Sequence, residues 1–138
     1  VTMDIGDETH IHPSHKKEVS ERLLYCALVN TYGFKGISFS GPLYKSMSIL
    51  NNKINIGFDY AELGLTTFGN ELINFEIAGD DKIFYRANAK IEDNQTITVW
   101  SDSVTNPVAV RYAYKEYAKG ELYNNQGLPA SSFRTDNW

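Results

Sequence analysis

The sequence has 138 residues, of which 42% are hydrophobic and 13% aromatic. This composition supports one compact domain, or a small domain joined to part of another, and excludes a globally disordered chain. The net charge of −4, with acids and bases interspersed, offers no basic surface for nucleic acid or for an anionic membrane. The longest apolar run, residues 23–29, is far too short to span a bilayer.

The opening stretch DIGDETHIHPSHKK contains the residue types best suited to chemistry near neutral pH. A loop histidine can take the proton from a serine hydroxyl while a carboxylate orients its ring. His12 precedes Pro13, whose ring favours an extended backbone at the residue before it. Asp7 and Asp4 are the nearest candidates for the orienting acid. On spacing alone, Asp7 and His10 could equally form the pair.

Two other interpretations of the opening stretch compete with catalysis. It is either a solvated surface loop or a zinc site built from His10, His12, His15 and Asp7. Pro13 interrupts the ligand spacing and no cysteine cluster assists, so we expect no metal. The chain contains no G-x-S-x-G motif, and these residues therefore do not assemble a complete hydrolase site.

A helix is predicted after this loop, from about Lys16 to Thr31. Ser14 is a candidate N-cap, and Gly33 is well placed to end the helix in a left-handed conformation. The single Cys26 lies within the helical pattern and is interpreted as a small buried apolar residue. Helical spacing places these apolar residues on one face: Val19, Leu23, Ala27 and Leu28.

From Gly36 onward the hydrophobic period changes to two, which is typical of β-strands. Hairpin turns are predicted at Asn51-Asn52 and at residues 92–95. The apolar alternation covers Met47 and Ile49; Ile54, Ile56, Phe58 and Tyr60; Ile73, Phe75 and Ile77; Ala87, Ala89 and Ile91; residues 96–100; and Val108, Val110, Tyr112 and Tyr114.

These short strands predict a mainly β fold, an antiparallel β-sandwich-like domain preceded by one helix. The final stretch, NNQGLPASSFRTDNW, has no clear period and is interpreted as an ordered, irregular tail. Leu128, Phe133 and Trp138 are the residues expected to anchor it.

Several segments resemble the C-terminal part of bacterial sialate O-acetylesterases, which belong to the SGNH (GDSL-like) hydrolase superfamily. DIGDETHIHPSHKKEVSERLLYCAL is similar to the family's last catalytic block and following helix. GPLYKSM, FEIAGDDKIFYRANAKI, SVTNPVAVRYAY and LYNNQGLPASSFRTDNW are similar to its β-rich tail in order and spacing. The resemblance covers nearly the whole chain.

This resemblance implies that the chain is divided between two domains. Residues 1–33 would form the C-terminal end of an α/β SGNH hydrolase domain, and residues 34–138 a β-sandwich C-terminal domain. It also implies hydrolysis of O-acetyl esters of sialic acid or related sugars, without metal or organic cofactor. The serine nucleophile and the Gly and Asn oxyanion donors would lie outside this chain, which alone is expected to be inactive.

Carried onto this sequence, the family's catalytic histidine is His12. Many superfamily members place the acid three residues before that histidine, where this chain has Thr9. Relatives often carry an acid two residues before it, where this chain has His10. Asp7 is therefore the preferred orienting carboxylate, with Asp4 and a backbone carbonyl as alternatives.

The resemblance also bears on ligands and location. An acetylated sugar is the expected partner, in the periplasm or outside the cell. Tyr44, Trp100 and Tyr112 could stack on sugars, although alternating aromatic residues more commonly form sheet cores. Arg134 could bind a sialic acid carboxylate or form a structural ion pair.

The sequence is also compatible with two other functions. The alternatives are a non-catalytic carbohydrate-binding module and an acetylesterase acting on plant polysaccharide. An exposed strand edge and an uncovered helix face predict self-association of the truncated chain, or fraying of residues 1–33.

Overall fold

The computed structural model describes residues 1–10, 12 and 14–138. In this part of the chain, one helix precedes ten strands, and the strand pairs are antiparallel. This confirms the predicted mainly β chain with one leading helix. The elements are α1 (Lys16–Asn30), β1 (Leu43–Leu50), β2 (Lys53–Asp59), β3 (Leu65–Thr66), β4 (Phe75–Gly79), β5 (Phe84–Arg86), β6 (Asn88–Asp93), β7 (Thr96–Trp100), β8 (Pro107–Tyr112), β9 (Tyr123–Asn124) and β10 (Phe133–Arg134).

Two four-stranded sheets share one hydrophobic core. Their strand orders are β1-β2-β7-β6 and β10-β8-β4-β5, and β3 pairs with β9 separately. Ile54, Ile56 and Phe58 of β2 are buried in the same core as Phe75 and Ile77 of β4. Burial of each such side chain stabilises the fold by roughly 1.5–3 kcal/mol.

Both predicted hairpins are confirmed. Strands β1 and β2 pair up to Leu50 and Lys53, and Asn51 in the turn has a φ of 55°. Strands β6 and β7 pair across the second predicted turn. There the backbone N–H of Gln95 donates to Oδ1 of Asp93 at 2.9 Å. Asn51 tolerates the positive φ of the first turn, and the Asp93 carboxylate accepts a backbone hydrogen bond within the second turn.

Some strands are shorter than the alternation predicted. Tyr60 follows the end of β2 with a φ of 60°, and Ala113 ends β8 with a φ of 49°. Positive φ breaks the extended backbone. Tyr114 is consequently exposed, and Ile73, which precedes β4, is also exposed.

The helix bounds agree with the prediction to within one residue, but the predicted Ser14 cap is wrong. His15 is the N-cap residue and makes no side-chain cap hydrogen bond. Ser14 contributes its backbone oxygen instead, accepting from Lys16 N–H at 2.9 Å. Pro13 lies outside the described residues. At the other end, Gly33 has a φ of 71°, which confirms the predicted left-handed position.

The apolar face of α1 is partly exposed. Leu23 is 67% exposed and Leu24 is 52% exposed. Cys26 is half-buried, so its assignment as a buried residue is corrected; its Sγ lies 3.4 Å from the backbone oxygen of Phe39. The reason is that α1 lies at the margin of the sheets and places no residue in their core. No helix in the described part of the chain is long and apolar enough to cross a bilayer.

The tail is more regular than predicted because it contains the end of β9 and the whole of β10. Strand β10 pairs with β8, which places Phe133 opposite Tyr112. Leu128 and Phe133 are buried, as predicted for anchors. Trp138 is not buried: it is 41% exposed, and its ring centroid lies 5.0 Å from Nζ of Lys82. Leu128 and Phe133 therefore anchor the tail, whereas the last residue does not.

Candidate active site

Asp7 organises the opening loop through one carboxylate oxygen. Its Oδ1 accepts hydrogen bonds from the backbone N–H and the hydroxyl of Thr9, both at 2.8 Å, and from the backbone N–H of His10 at 3.1 Å. Nδ1 of His10 lies 3.1 Å from the same oxygen. These hydrogen bonds, led by that from the Thr9 backbone, lower the pKa of Asp7. The loop therefore presents an ionised carboxylate at neutral pH.

The structure brings Asp7 to His10 rather than directly to His12. This is the pairing that spacing alone allowed as an alternative. His12 is exposed, and its side chain makes no hydrogen bond with residues 1–10 or 14–138. Within the same residues, Oδ2 of Asp7 also accepts no hydrogen bond. Among the described residues, Asp7 thus has one carboxylate oxygen without a donor.

Asp4 is already engaged elsewhere. Its two carboxylate oxygens each accept a 2.7 Å hydrogen bond from the guanidinium of Arg22. Both side chains are largely buried. The Asp4 carboxylate raises the pKa of Arg22, chiefly through these hydrogen bonds. Asp4 is consequently a structural partner of the helix, and Asp7 is the more accessible carboxylate.

The third histidine lies at the start of α1. Nδ1 of His15 is 3.2 Å from Oε1 of Glu18, one helical turn away. Among the described residues, no three His, Cys, Asp or Glu side chains converge in a group that could hold a metal ion. His10 and His15 therefore have different acidic neighbours, and His12 contacts none among the described residues.

An open cleft of about 410 Å³ is lined by residues of the opening loop and by two residues from the β-rich part of the chain. The later residues are Tyr117 and Lys119. The sequence pattern did not single them out, because they lie in an irregular segment more than a hundred residues beyond the histidines. The cleft is lined by Asp4, Ile5, Gly6, Asp7, His10, His12, Ser14, His15, Tyr117 and Lys119.

The later segment is joined to the N-terminal residues by one backbone hydrogen bond and is held by two side chains of the β-rich part. Gly120 N–H donates to the backbone oxygen of Met3 at 3.1 Å. The side-chain amide of Asn74 donates to the backbone oxygen of Lys119 at 2.9 Å. The hydroxyl of buried Tyr112 accepts from the N–H groups of Glu121 and Leu122 at 3.3 and 3.2 Å. The tertiary fold therefore builds one wall of the cleft.

The aromatic residues considered for sugar stacking have different environments. Tyr112 is fully buried, as expected for a core residue. The Tyr44 ring stacks on Phe133 with 5.2 Å between centroids. Trp100 is half-buried and lines a separate open cleft of about 630 Å³. Arg134 forms the structural ion pair considered above, with Nη1 3.7 Å from Oδ2 of Asp136.

Comparison with known proteins places the chain beside sugar-ester hydrolases. No family model matches it. The human and Pongo abelii proteins named sialate O-acetylesterase are each 30% identical to it, and each match covers 96% of this chain and 28% of the relative. A crystal structure of a carbohydrate acetylesterase from Xanthomonas citri superposes with a TM-score of 0.90 at 39% identity. That match covers 98% of this chain and 31% of the other.

In sequence and in fold, the chain is thus a mainly β relative of carbohydrate acetylesterases. More particularly, the resemblance to the sialate O-acetylesterase family is confirmed over nearly the whole chain. The chain spans less than a third of the length of these relatives.

Proposed function

We propose that this chain is the C-terminal part of a carbohydrate O-acetylesterase that acts on acetylated sialic acid or a related sugar. The observation that carries the proposal is the match of nearly the whole chain to an acetylesterase at a TM-score of 0.90. The exposed histidine in an open polar cleft supports it, since an acetyl ester must reach the base from solvent.

In this proposal His12 is the general base and then the general acid. A serine hydroxyl from a segment outside these 138 residues attacks the acetyl carbonyl, and His12 takes the hydroxyl proton. The tetrahedral intermediate collapses, the bond to the sugar oxygen breaks, and His12 returns the proton to that oxygen. Water, deprotonated by His12, then attacks the acyl-enzyme and releases acetate and free serine.

Asp7 is the proposed orienting carboxylate. Its Oδ1 is occupied by Thr9 and His10, whereas Oδ2 has no donor among the described residues. A hydrogen bond from the His12 ring to Oδ2 would let the carboxylate stabilise the imidazolium formed during the reaction. Asp4 is disfavoured because both of its oxygens bind Arg22.

The domain division is part of the same proposal. Residues 1–33 would be the end of the hydrolase domain and residues 34–138 the β-sandwich domain beside it. The exposed apolar residues Leu23, Leu24 and Tyr32 support this division, since an isolated domain rarely leaves such a face uncovered.

The test uses the protein encoded by the complete reading frame that contains this chain. His12→Ala should lower kcat/KM for O-acetylated sialic acid by at least about 10³-fold, with an unchanged melting temperature. His15→Ala is the matched control and should stay within a few-fold of wild type, because His15 is engaged by Glu18.

Three results would contradict parts of the proposal. Full activity of His12→Ala would remove His12 from the mechanism. A loss confined to His10→Ala would assign the base to the histidine that contacts Asp7. No turnover of any acetyl ester by the wild-type protein, with sugar binding retained, would favour the binding-module alternative.

A further inference from the structure

Lys119 is a cation at the cleft that carries His12, and the proposed reaction gives it no role. Its side chain is exposed and lines the cleft together with Tyr117. Within residues 1–10, 12 and 14–138, Lys119 takes part in none of the ion pairs. Its ammonium group is therefore available to an anionic ligand.

Neither of the carboxylates that line the cleft, Asp4 and Asp7, forms an ion pair with this ammonium group. Asp4 is bound through both oxygens to Arg22. Asp7 accepts its hydrogen bonds from Thr9 and His10 through one oxygen. The cleft thus combines two carboxylates that already accept hydrogen bonds with an ammonium group that has no ion-pair partner among the described residues.

The backbone that carries Lys119 is held in place by buried polar contacts. The Asn74 side-chain amide donates both to the backbone oxygen of Lys119, at 2.9 Å, and to Oε2 of Glu121, at 2.6 Å. Glu121 is itself buried and accepts the backbone N–H groups of Ile73 and Asn74, both at 2.9 Å. The β-rich part therefore presents Lys119 to the opening loop from a fixed position.

We propose that Lys119 binds the carboxylate of an acidic sugar and so selects acidic over neutral acetylated substrates. The inference rests on the proposed function, since a sialate ester carries such a carboxylate. The ammonium group would make a charge-assisted hydrogen bond with it, and the hydroxyl of Tyr117 would donate a second. The acetyl group of the same sugar would then face the histidine side of the cleft.

The kinetic test compares one acidic and one neutral ester on the complete protein. Lys119→Met should lower kcat/KM for O-acetylated sialic acid about 10- to 100-fold, the range expected for a lost hydrogen bond to a charged group. Turnover of 4-nitrophenyl acetate should be unchanged. Lys115→Met is the matched control, because Lys115 is exposed on the same segment but lines a different cleft, with Glu76 and Arg86.

A binding test needs no turnover and therefore separates this inference from the proposed function. Wild-type protein should bind N-acetylneuraminic acid more tightly than its methyl ester, as measured by ligand-observed NMR. Lys119→Met should abolish that preference, and Lys115→Met should retain it. Tyr117→Phe should weaken binding of the acid by a smaller factor.

Each contrary result has one meaning. Equal wild-type binding of the acid and its methyl ester would overturn the inference, as would an unchanged preference in Lys119→Met. Equal losses on acidic and neutral esters would show that Lys119 supports catalysis or folding generally, and would also overturn it. Absence of esterase activity with the binding preference intact would overturn only the proposed function.

Discussion

Arg22 and Asp4 form a bidentate ion pair that joins helix α1 to the opening loop. The Nη1–Oδ1 and Nη2–Oδ2 distances are both 2.7 Å, and Nη1 also donates to the backbone oxygen of Val1 at 2.8 Å. The side chains are only 15% and 9% exposed. Since α1 contributes no residue to the sheet core, this contact is a principal link between the helix and the loop that carries the histidines.

Replacing Arg22 should therefore loosen the N-terminal part of the chain. Arg22→Met leaves the Asp4 carboxylate without its two donors in a largely buried position. We expect the free energy of unfolding of this part to fall by about 1–3 kcal/mol. Hydrogen exchange of the α1 amides should accelerate accordingly, while amides of β2 and β7 remain protected.

Lys17→Met provides the control for this change on the same helix. Lys17 and Glu21 form an exposed pair with 3.7 Å between Nζ and Oε1. An exposed pair of this kind contributes about 0–1 kcal/mol. Equal acceleration of exchange in the two variants would show that the Arg22–Asp4 contact does not hold the helix.

The Tyr112 hydroxyl is predicted to stabilise the segment that carries Lys119. In Tyr112→Phe, the buried N–H groups of Glu121 and Leu122 lose their acceptor. We expect urea denaturation to show a loss of about 1–3 kcal/mol. Tyr114→Phe is the control, because the Tyr114 side chain is exposed and should change stability little. Equal stabilities of the two variants would contradict a structural role for the Tyr112 hydroxyl.

Tyr112 should also make the stability of the folded protein depend on pH. Burial, assisted by the charge of Glu121, raises the pKa of Tyr112 well above its usual value of 10.0. The folded state therefore favours the neutral phenol. Its contribution to stability is fully present below pH 10.0 and is lost as the pH rises through the raised folded pKa.

Comparison of wild type with Tyr112→Phe isolates this effect from the other tyrosines, which titrate in both proteins. The difference between their free energies of unfolding should be constant from pH 7 to pH 9 and should shrink at higher pH. Denaturation series at fixed pH values measure it. A difference that grows with alkaline pH would show that the phenol ionises more readily in the folded state.

Much of the secondary structure was predictable because its causes are local. The bounds of α1, the left-handed Gly33 and the hairpin at Asn51 follow from periodicity and from residues that tolerate positive φ. The alternating core positions Ile54, Ile56 and Phe58 were predicted for the same reason. Strand β10 was missed because two residues carry no period, and its pairing with β8 is a long-range contact.

The site was only partly predictable. Sequence motifs identified the histidine loop and the related family, and the comparisons confirm that relationship. The role of His12, the domain boundary near residue 33, the location of the protein and its self-association stay predictions. The assignment of Ser14 as a side-chain cap was wrong because the backbone of Ser14, not its hydroxyl, meets the first helical N–H.

By itself, then, the sequence determined the order of the helix and strands and identified the histidine loop as the candidate site. Both depend on patterns among neighbouring residues. Only the tertiary structure decided which partners the charged groups of that loop have. It bound Asp4 to Arg22, turned Oδ1 of Asp7 toward Thr9 and His10, and brought Lys119 to the same cleft. The Asp4–Arg22 pairing and the arrival of Lys119 depend on chain segments that meet only when the protein folds, and local patterns carry no information about them.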